Sequence, residues 1–401
     1  MISTRRALDI VIVGAGAVGA ALCHALAVRG FEVGIVDAET GEERASVRTS
    51  ALSGASLAQL SGLGLWPLEG VEAAPLRALQ VLDRSGQGRL RFDSADIGEA
   101  SLGAIVNHGL LEAALRQRAR ALGVPWYFDR AEEVAIEGGR AEVMLRGGER
   151  LRAPLLIAAD GAQSTIREQL GVPVLQYRYG QTAVCADIRL GRPHEGVAWQ
   201  RFLTDGPCAL LPLPDPCRAS LIWSTADQEA RRLRNLSDRE FSEALRGVFG
   251  DALGTLETDS ERAGFPLVAS HAQRYIGARF ALVGDAAHRV HPLAGQGVNL
   301  GFADAGALVA ALEAARARAV DLGSRRALRP YERARKAENV AMLMATDLLN
   351  RVFRDDRAWV RALLRTGLNV TDTLPFLKTV FMTAAGARGP GGAAHDARQG
   401  P

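Results

Sequence analysis

Apolar and polar positions change their period twice within the first forty residues. Ile10 to Val13 are apolar without interruption, the pattern of a short buried strand. Ala17 to Arg29 have the spacing of a helix that Gly30 closes, and Glu32 to Val36 form a second strand. Residues 41–50 are polar and irregular, Ala51 to Leu63 predict a helix, and Leu76 to Phe92 read as strands broken at Ser85-Gly86. Leu110 to Leu122 return to helical spacing. Short runs around Val134 and Val143 predict a hairpin across Gly138-Gly139. Leu155 to Ala159 and Phe280 to Val283 are two more buried strands, the second followed by a glycine-rich turn and a helix from about Gly301. Residues 174–276 favour strands and proline turns, and 325–385 are mostly helical. The last fifteen residues, rich in Gly, Pro and Ala, predict disorder.

This alternation predicts an α/β protein of two interleaved domains. A Rossmann-like nucleotide-binding domain takes 1–72, 101–173 and 277–345, and a β-sheet domain takes 73–100 and 174–276. C-terminal helices follow over 346–386, then the tail 387–401. A hydrophobic share of 48% over 401 residues is enough for large cores. The net charge of +3 is too small to draw the chain to nucleic acid. Cys23, Cys185, Cys208 and Cys217 form no CxxC pair and no metal-ligand spacing, which predicts free thiols in a reducing cytoplasm. Cys208 and Cys217 flank a proline-rich turn and can lie close together. Arg5 and Arg6 before the apolar run from Ile10 to Val28 imitate a signal peptide, but Asp9 opens that run and Gly14, Gly16 and Gly19 interrupt it. No other stretch reaches the ~18 uninterrupted apolar residues of a membrane span. The expectation is a cytoplasmic protein, either soluble or resting on the inner face of the membrane.

Three constellations carry chemistry. Gly14-Ala15-Gly16-Ala17-Val18-Gly19 follows a strand and opens a helix. Gly14 permits the tight turn, Gly16 the approach of a pyrophosphate, and Gly19 close helix–strand packing, while the helix N-terminus offers N–H groups to phosphate. Asp37, eighteen residues beyond Gly19, stands where a carboxylate can bind ribose hydroxyls. The second constellation is a strand delivering Asp160-Gly161 to a turn, with Ser164 and Arg167 one helical turn apart beyond it; alone it also fits a merely N-capped helix. In the third, Gly284-Asp285 ends a strand, and Pro292, Gly295, Gln296, Gly297, Val298 and Asn299 open the next helix. A carboxylate there can hold a ribityl hydroxyl, and the loop can aim N–H groups at a flavin ring. His288 and His291 lack a third ligand or a nucleophile at useful spacing, so loop packing is the favoured reading and no metal is expected.

Together these blocks resemble the glycine, DG and GD motifs of the group A FAD-dependent aromatic monooxygenases, which share the p-hydroxybenzoate hydroxylase fold. The similarity is strongest to the ubiquinone-biosynthesis hydroxylases of that group and runs from about residue 8 to 386. Arg48-Thr49-Ser50-Ala51-Leu52-Ser53 is similar to their second FAD-contacting segment, and Trp199-Gln200-Arg201-Phe202 and Leu221-Ile222-Trp223-Ser224 to substrate-domain strands. Asn107-His108 stands where relatives carry a different polar pair. The resemblance implies that Gly14, Gly16, Ala17, Val18, Gly19 and Asp37 hold the ADP half of FAD. It implies Arg48 and Asn107 near its middle, and Gly284 and Asp285 at the ribityl chain. Gly295, Gln296, Gly297, Val298 and Asn299 would line the isoalloxazine, with Pro292 beside its reactive face and Pro292, Gly295 and Gln296 nearest the chemistry. Asp160, Gly161 and Arg167 would serve both FAD and a visiting NAD(P)H.

The implied activity is hydroxylation of an aromatic ring, with NAD(P)H and O2 as co-substrates and a flavin C4a-hydroperoxide as oxidant. A polyprenylated phenol of ubiquinone biosynthesis is the implied substrate. A hydroxylase of a soluble aromatic, a polyprenyl reductase, a halogenase and a non-catalytic FAD-binding assembly subunit are the alternatives within the fold. Arg351, Arg354, Arg357, Arg361 and Arg365 recur every three or four residues and predict a basic stripe on one helix, with Leu349, Val352 and Phe353 opposite. Such a helix can be an ordinary core-packed helix with a solvated face, the safer reading, or rest peripherally on a membrane or a biosynthetic partner complex.

Overall fold

The computed structural model describes residues 7–38, 46–290 and 296–355, together with 357, 366–367, 371–372 and 386. A six-stranded sheet forms its first layer, in the order Ile276–Gly277, Phe280–Leu282, Leu155–Ala158, Ile10–Val13, Val33–Val36 and Trp126–Tyr127. All neighbours are parallel except the first pair. Such strands need cover on both faces, and Ile10 to Val13, Val33 to Val36 and Leu155 to Ala158 are buried at every position. Helix α1 (Ala17–Ala27) is apolar on all sides and is buried accordingly. Its chain reverses at Gly30, whose φ of +78° suits glycine.

Helix α2 (Gly54–Gly62) follows a strand at Thr49–Ser53, so the helix expected from Ala51 starts three residues later. That strand pairs with Gly103–Asn107, which also pairs with Ala73–Leu76. Helix α3 (His108–Arg120) packs on α1, and the short α4 (Thr165–Gln169) is capped by Ser164. Strands Ala131–Glu137 and Arg140–Leu145 form the expected hairpin, with Arg150–Ala153 completing a small sheet.

A nine-stranded sheet forms the second layer, and Val174–Leu190 runs through its middle. One face is covered by α5 (Asp227–Asn235) and α6 (Asp238–Phe249), which bury Ala230, Leu233, Phe241 and Leu245 against Leu210, Leu221 and Trp223. These two helices stand beside the strands and proline turns expected over 174–276 and were not anticipated there. The other face looks toward the first layer: Thr49 Oγ1 donates to Ser220 Oγ at 3.1 Å.

Helix α7 (Gln296–Ala317) begins five residues earlier than expected and packs on α1, α2 and α8 (Arg325–Phe353). By length and composition α7 could cross a membrane, yet most of it is buried in the core. Helix α8 ends at Phe353, which stacks on Phe202, so Arg351, Arg354 and Arg357 do not share one helical stripe. Arg361 and Arg365, and the expected tail, lie outside the described residues. Leu349, expected on the buried side, is 47% exposed. All four cysteines are free thiols, Cys23, Cys185 and Cys208 buried and Cys217 half-buried. Burial pushes Cys23 and Cys185 up to about 12 and about 11, which removes them as nucleophiles.

Candidate flavin site

Gly14, Asp160 and Gly284-Asp285 follow the C-terminal ends of three neighbouring parallel strands, Ile10–Val13, Leu155–Ala158 and Phe280–Leu282. Open α/β sheets bind ligands in the crevice at this end. The three turns are packed on one another. A Cβ at Gly14 would lie 2.3 Å from the Ala159 oxygen, and one at Gly19 2.0 Å from the Gly14 oxygen. Val18 fills the gap toward the third turn: a Cβ on Gly284 or Gly301 would meet its Cγ2 at 3.4 or 2.4 Å.

Gly16 differs from both neighbours. A Cβ there would meet nothing within 4 Å, and the same holds for Gly161 and Gly297. Gly16 is also the N-cap of α1 and provides no side-chain cap, so the first-turn N–H groups of an eleven-residue helix open on that space. Asp37 Oδ2 accepts the Ala15 N–H at 2.5 Å, which fixes the acidic residue against the loop. An open recess lined by glycine and uncapped amides fits a dinucleotide pyrophosphate. The residues present therefore fit FAD.

The second and third turns hold each other. Asp160 accepts from Ser164 Oγ at 2.6 Å and from the Ile166 N–H at 3.2 Å. Burial raises its carboxyl above the usual range, against the pull of those bonds. Arg167 is buried, and its Nη1 donates to the Ala286 carbonyl at 3.1 Å. Asp285 is exposed between buried Gly284 and Ala286, the one carboxylate of that turn open to solvent.

Asn299, from the first turn of α7, is buried and spans to the Thr49–Ser53 strand. Its Nδ2 donates to the Ala51 carbonyl at 2.7 Å, and its Oδ1 accepts the Ser53 N–H at 3.0 Å. Val298 is half-buried against the core beside it. Asn107 caps α3 through the Leu110 N–H and donates to the Ser46 carbonyl. Arg48 is exposed on the seam between the layers, its guanidinium 5.4 Å from the Phe265 ring centre. His108 lies against Ser50 Oγ at 2.8 Å; burial first, then the Arg48 charge, push its imidazole down to about 4. Pro292, Gly295 and the Gln296 side chain lie outside the described residues. Among the described residues, no three His, Cys, Asp or Glu side chains gather as a metal site.

Sequence reasoning missed Arg116 and Asp304. Arg116 is buried on α3; its Nε donates to the Ala15 carbonyl at 2.7 Å, and Nη2 lies 3.8 Å from Asp37. Asp304 is fully buried on α7, 2.5 Å from His288 Nε2. Burial pushes its carboxyl up, but His288 and Arg335 outweigh burial and hold it below the usual range. A charged residue inside an apolar helical stripe was the available signal in each case.

The fold and the open glycine turn define a dinucleotide-binding protein, and comparison with known proteins narrows the class. The sequence profile of the family described as an FAD binding domain matches residues 7–346. Ubiquinone hydroxylase UbiL of Rhodospirillum rubrum is 35% identical over 389 residues, covering 96% of this chain and 90% of that protein. The 3-demethoxyubiquinol 3-hydroxylase of Escherichia coli is 34% identical, covering 94% of this chain and 97% of that protein. Among solved structures, p-nitrophenol 4-monooxygenase PnpA from Pseudomonas putida superimposes with a TM-score of 0.78 at 19% identity, over 96% of this chain and 99% of that one. The chain belongs to the group A FAD-dependent aromatic monooxygenases and is homologous to their ubiquinone-biosynthesis hydroxylases.

Proposed function

We propose that this protein hydroxylates the ring of a polyprenylated phenol in ubiquinone biosynthesis, using FAD, NAD(P)H and O2. The balance is one NAD(P)H, one proton, one O2 and one ring C–H giving NAD(P)+, water and the phenol product. The observation that carries the reading is that three turns packed on one another end neighbouring parallel strands, with open space at Gly16 and Gly161. Bound FAD supplies the electron transfer and oxygen activation that amino-acid side chains lack.

The protein's own residues bind, orient and exclude water. Gly16 and the first turn of α1 would hold the pyrophosphate, Asp37 the ribose and Asp285 the ribityl chain. Arg167 and Asp160 brace the turns on which these groups sit, and they line the path of the visiting NAD(P)H. Ala209, Ile222 and Cys185 are cross-strand neighbours on the face of the large sheet that looks toward Arg48, and they give the ring a largely apolar wall. The family resemblance assigns the reacting side to Pro292, Gly295 and Gln296.

The test uses purified protein, a short-chain polyprenyl phenol and 18O2. Hydroxylation predicts substrate-stimulated NAD(P)H oxidation and one 18O in the product. Loss of a side-chain double bond without oxygen would instead make the protein a reductase. A halide requirement would make it a halogenase, and no NAD(P)H oxidation at all an assembly subunit.

Such a substrate partitions into a bilayer, and the surface has a matching feature. Nine large apolar side chains are exposed among the described residues, and five of them, Leu175, Tyr177, Met344, Leu348 and Leu349, belong to one strand and to α8. Arg351 joins the two elements, its guanidinium 5.7 Å from the Tyr177 ring centre. The proposed contact is peripheral, through this face, on the cytoplasmic side of the membrane.

A further inference from the structure

Asp304 is 0% exposed, and a buried carboxylate is tolerated only where donors replace its water. It has four. Oδ2 accepts the Gly284 N–H at 3.1 Å and lies 2.5 Å from His288 Nε2; Oδ1 accepts from Arg335 Nε at 3.0 Å and from Asn339 Nδ2 at 3.2 Å. Two of these donors, Gly284 and His288, are the ends of the turn that presents Asp285. The other two come from α8. Arg335 Nη2 also donates to Asn339 Oδ1 at 2.9 Å, so the α8 pair is itself braced.

The turn has little freedom left. Its Ala287 N–H donates to the Gly284 carbonyl at 2.9 Å, its Ala286 carbonyl is held by Arg167, and its Ala287 carbonyl accepts the Ala272 N–H. His288 then continues as a strand opposite His271. One oxygen of Asp304 thus pins both ends of a five-residue turn whose exposed side chain is Asp285.

We propose that Asp304 and His288 are positioning residues that act on FAD through Asp285. They form a buried clamp holding the ribityl-facing carboxylate at its working position. This rests on the reading that Asp285 contacts the cofactor. The same pinning explains why His288, which has no metal or nucleophile partner among the described residues, is fully buried beside the site.

The test is a double-mutant cycle on FAD affinity, read by flavin fluorescence during titration of the apoprotein. Asp285→Ala and Asp304→Asn should each raise the FAD dissociation constant about tenfold, as loss of a charge-assisted hydrogen bond does. The double variant should be within about twofold of Asp285→Ala alone, because coupled residues are non-additive. Asp304→Asn combined with Gly16→Val should instead multiply the two effects. His288→Gln, which keeps a donor, should bind FAD like the wild type, and His288→Leu should not; this pair carries the test if Asp304→Asn fails to fold. Multiplied effects in the Asp285/Asp304 double variant would overturn the clamp while leaving the Asp285 contact intact. So would a lowered apoprotein melting temperature in His288→Leu with FAD affinity unchanged. An unchanged dissociation constant in Asp285→Ala alone would overturn the cofactor contact and the clamp with it.

Discussion

Two glycines three residues apart in the phosphate loop, Gly16 and Gly19, answer to different constraints. Any side chain at Gly19 would press on the Gly14 carbonyl, whereas Gly16 faces open space. Gly19→Ala should therefore destabilise the apoprotein by about 1–3 kcal/mol, the usual cost of overpacking. Gly16→Val should leave apoprotein stability unchanged and give a folded, colourless protein; full FAD occupancy in that variant would remove the loop from the site. The sequence motif marks all three glycines but not this division, because the Ala159 carbonyl that crowds Gly14 is 145 positions away. Asp285 and Asp37 were legible for the same reason the glycines were: they stand at fixed offsets from strand ends. Arg116 and Asp304 were not, since each is defined by partners on other elements.

His108 adds a pH effect at the same scale. Its folded-state value, about 4, lies below the 6.5 of an unperturbed imidazole. Between those two values the unfolded chain takes up a proton that the folded chain refuses. Stability from this group is therefore fully present above pH 6.5 and falls as pH drops toward 4, by about 3 kcal/mol at ~1.4 kcal/mol per pH unit. Urea midpoints of wild type and His108→Gln should converge in slope above pH 6.5 and diverge below it, with the wild type losing more. Parallel pH profiles would show that the imidazole titrates normally.

At the scale of elements, strands with continuous apolar runs were readable and segments with mixed signals were not. The stretch from Asp227 to Phe249 carries a full capping box, Ser237 with Glu240, and helical spacing at Phe241 and Leu245. Its setting among strands and prolines hid two helices. Ala51 to Ser53 show the reverse error: helix-favouring residues pair with Gly103 to Ile105 because a neighbouring strand offers its edge. The basic stripe failed for a local reason, since α8 ends at Phe353 and Arg351 is engaged by Asp347 at 2.8 Å. What the helix presents instead is apolar: every exposed position from Ala341 to Leu349 is Ala, Met or Leu. Met344→Gln with Leu348→Gln should change stability by less than about 0.5 kcal/mol, as surface substitutions do, because neither side chain is in the core. The same pair should abolish sedimentation with phospholipid vesicles while FAD content stays constant. Sedimentation equal to wild type would leave this face without a role at the bilayer.

The whole molecule joins its two layers both at the site and along α8, whose Phe353 stacks on Phe202 and whose Asn350 Nδ2 donates to Gln181 Oε1. Thr49 reaches Ser220 across the layers, Asn299 ties α7 to the Thr49–Ser53 strand, and His288 leaves the Asp285 turn to pair with the large sheet. The cores themselves are separate, one around the parallel sheet and α1, the other under α5 and α6. On the proposed reading FAD would touch segments that begin at residues 14, 160 and 284, so it would be worth more to the assembled form than to any one part. At free FAD about 100-fold above the dissociation constant, binding should add about 2.7 kcal/mol to unfolding. For a protein of 401 residues that is roughly 3 °C in melting temperature, at about 1.2 °C per kcal/mol. Because both α8 and the strand that leaves the Asp285 turn link the layers, calorimetry should show a single transition that moves as a unit with added FAD. Two transitions, with only one responding to FAD, would mean that the large sheet and its helices melt independently of the site, and that the contacts at Thr49 and His288 do not transmit the cofactor's stabilisation.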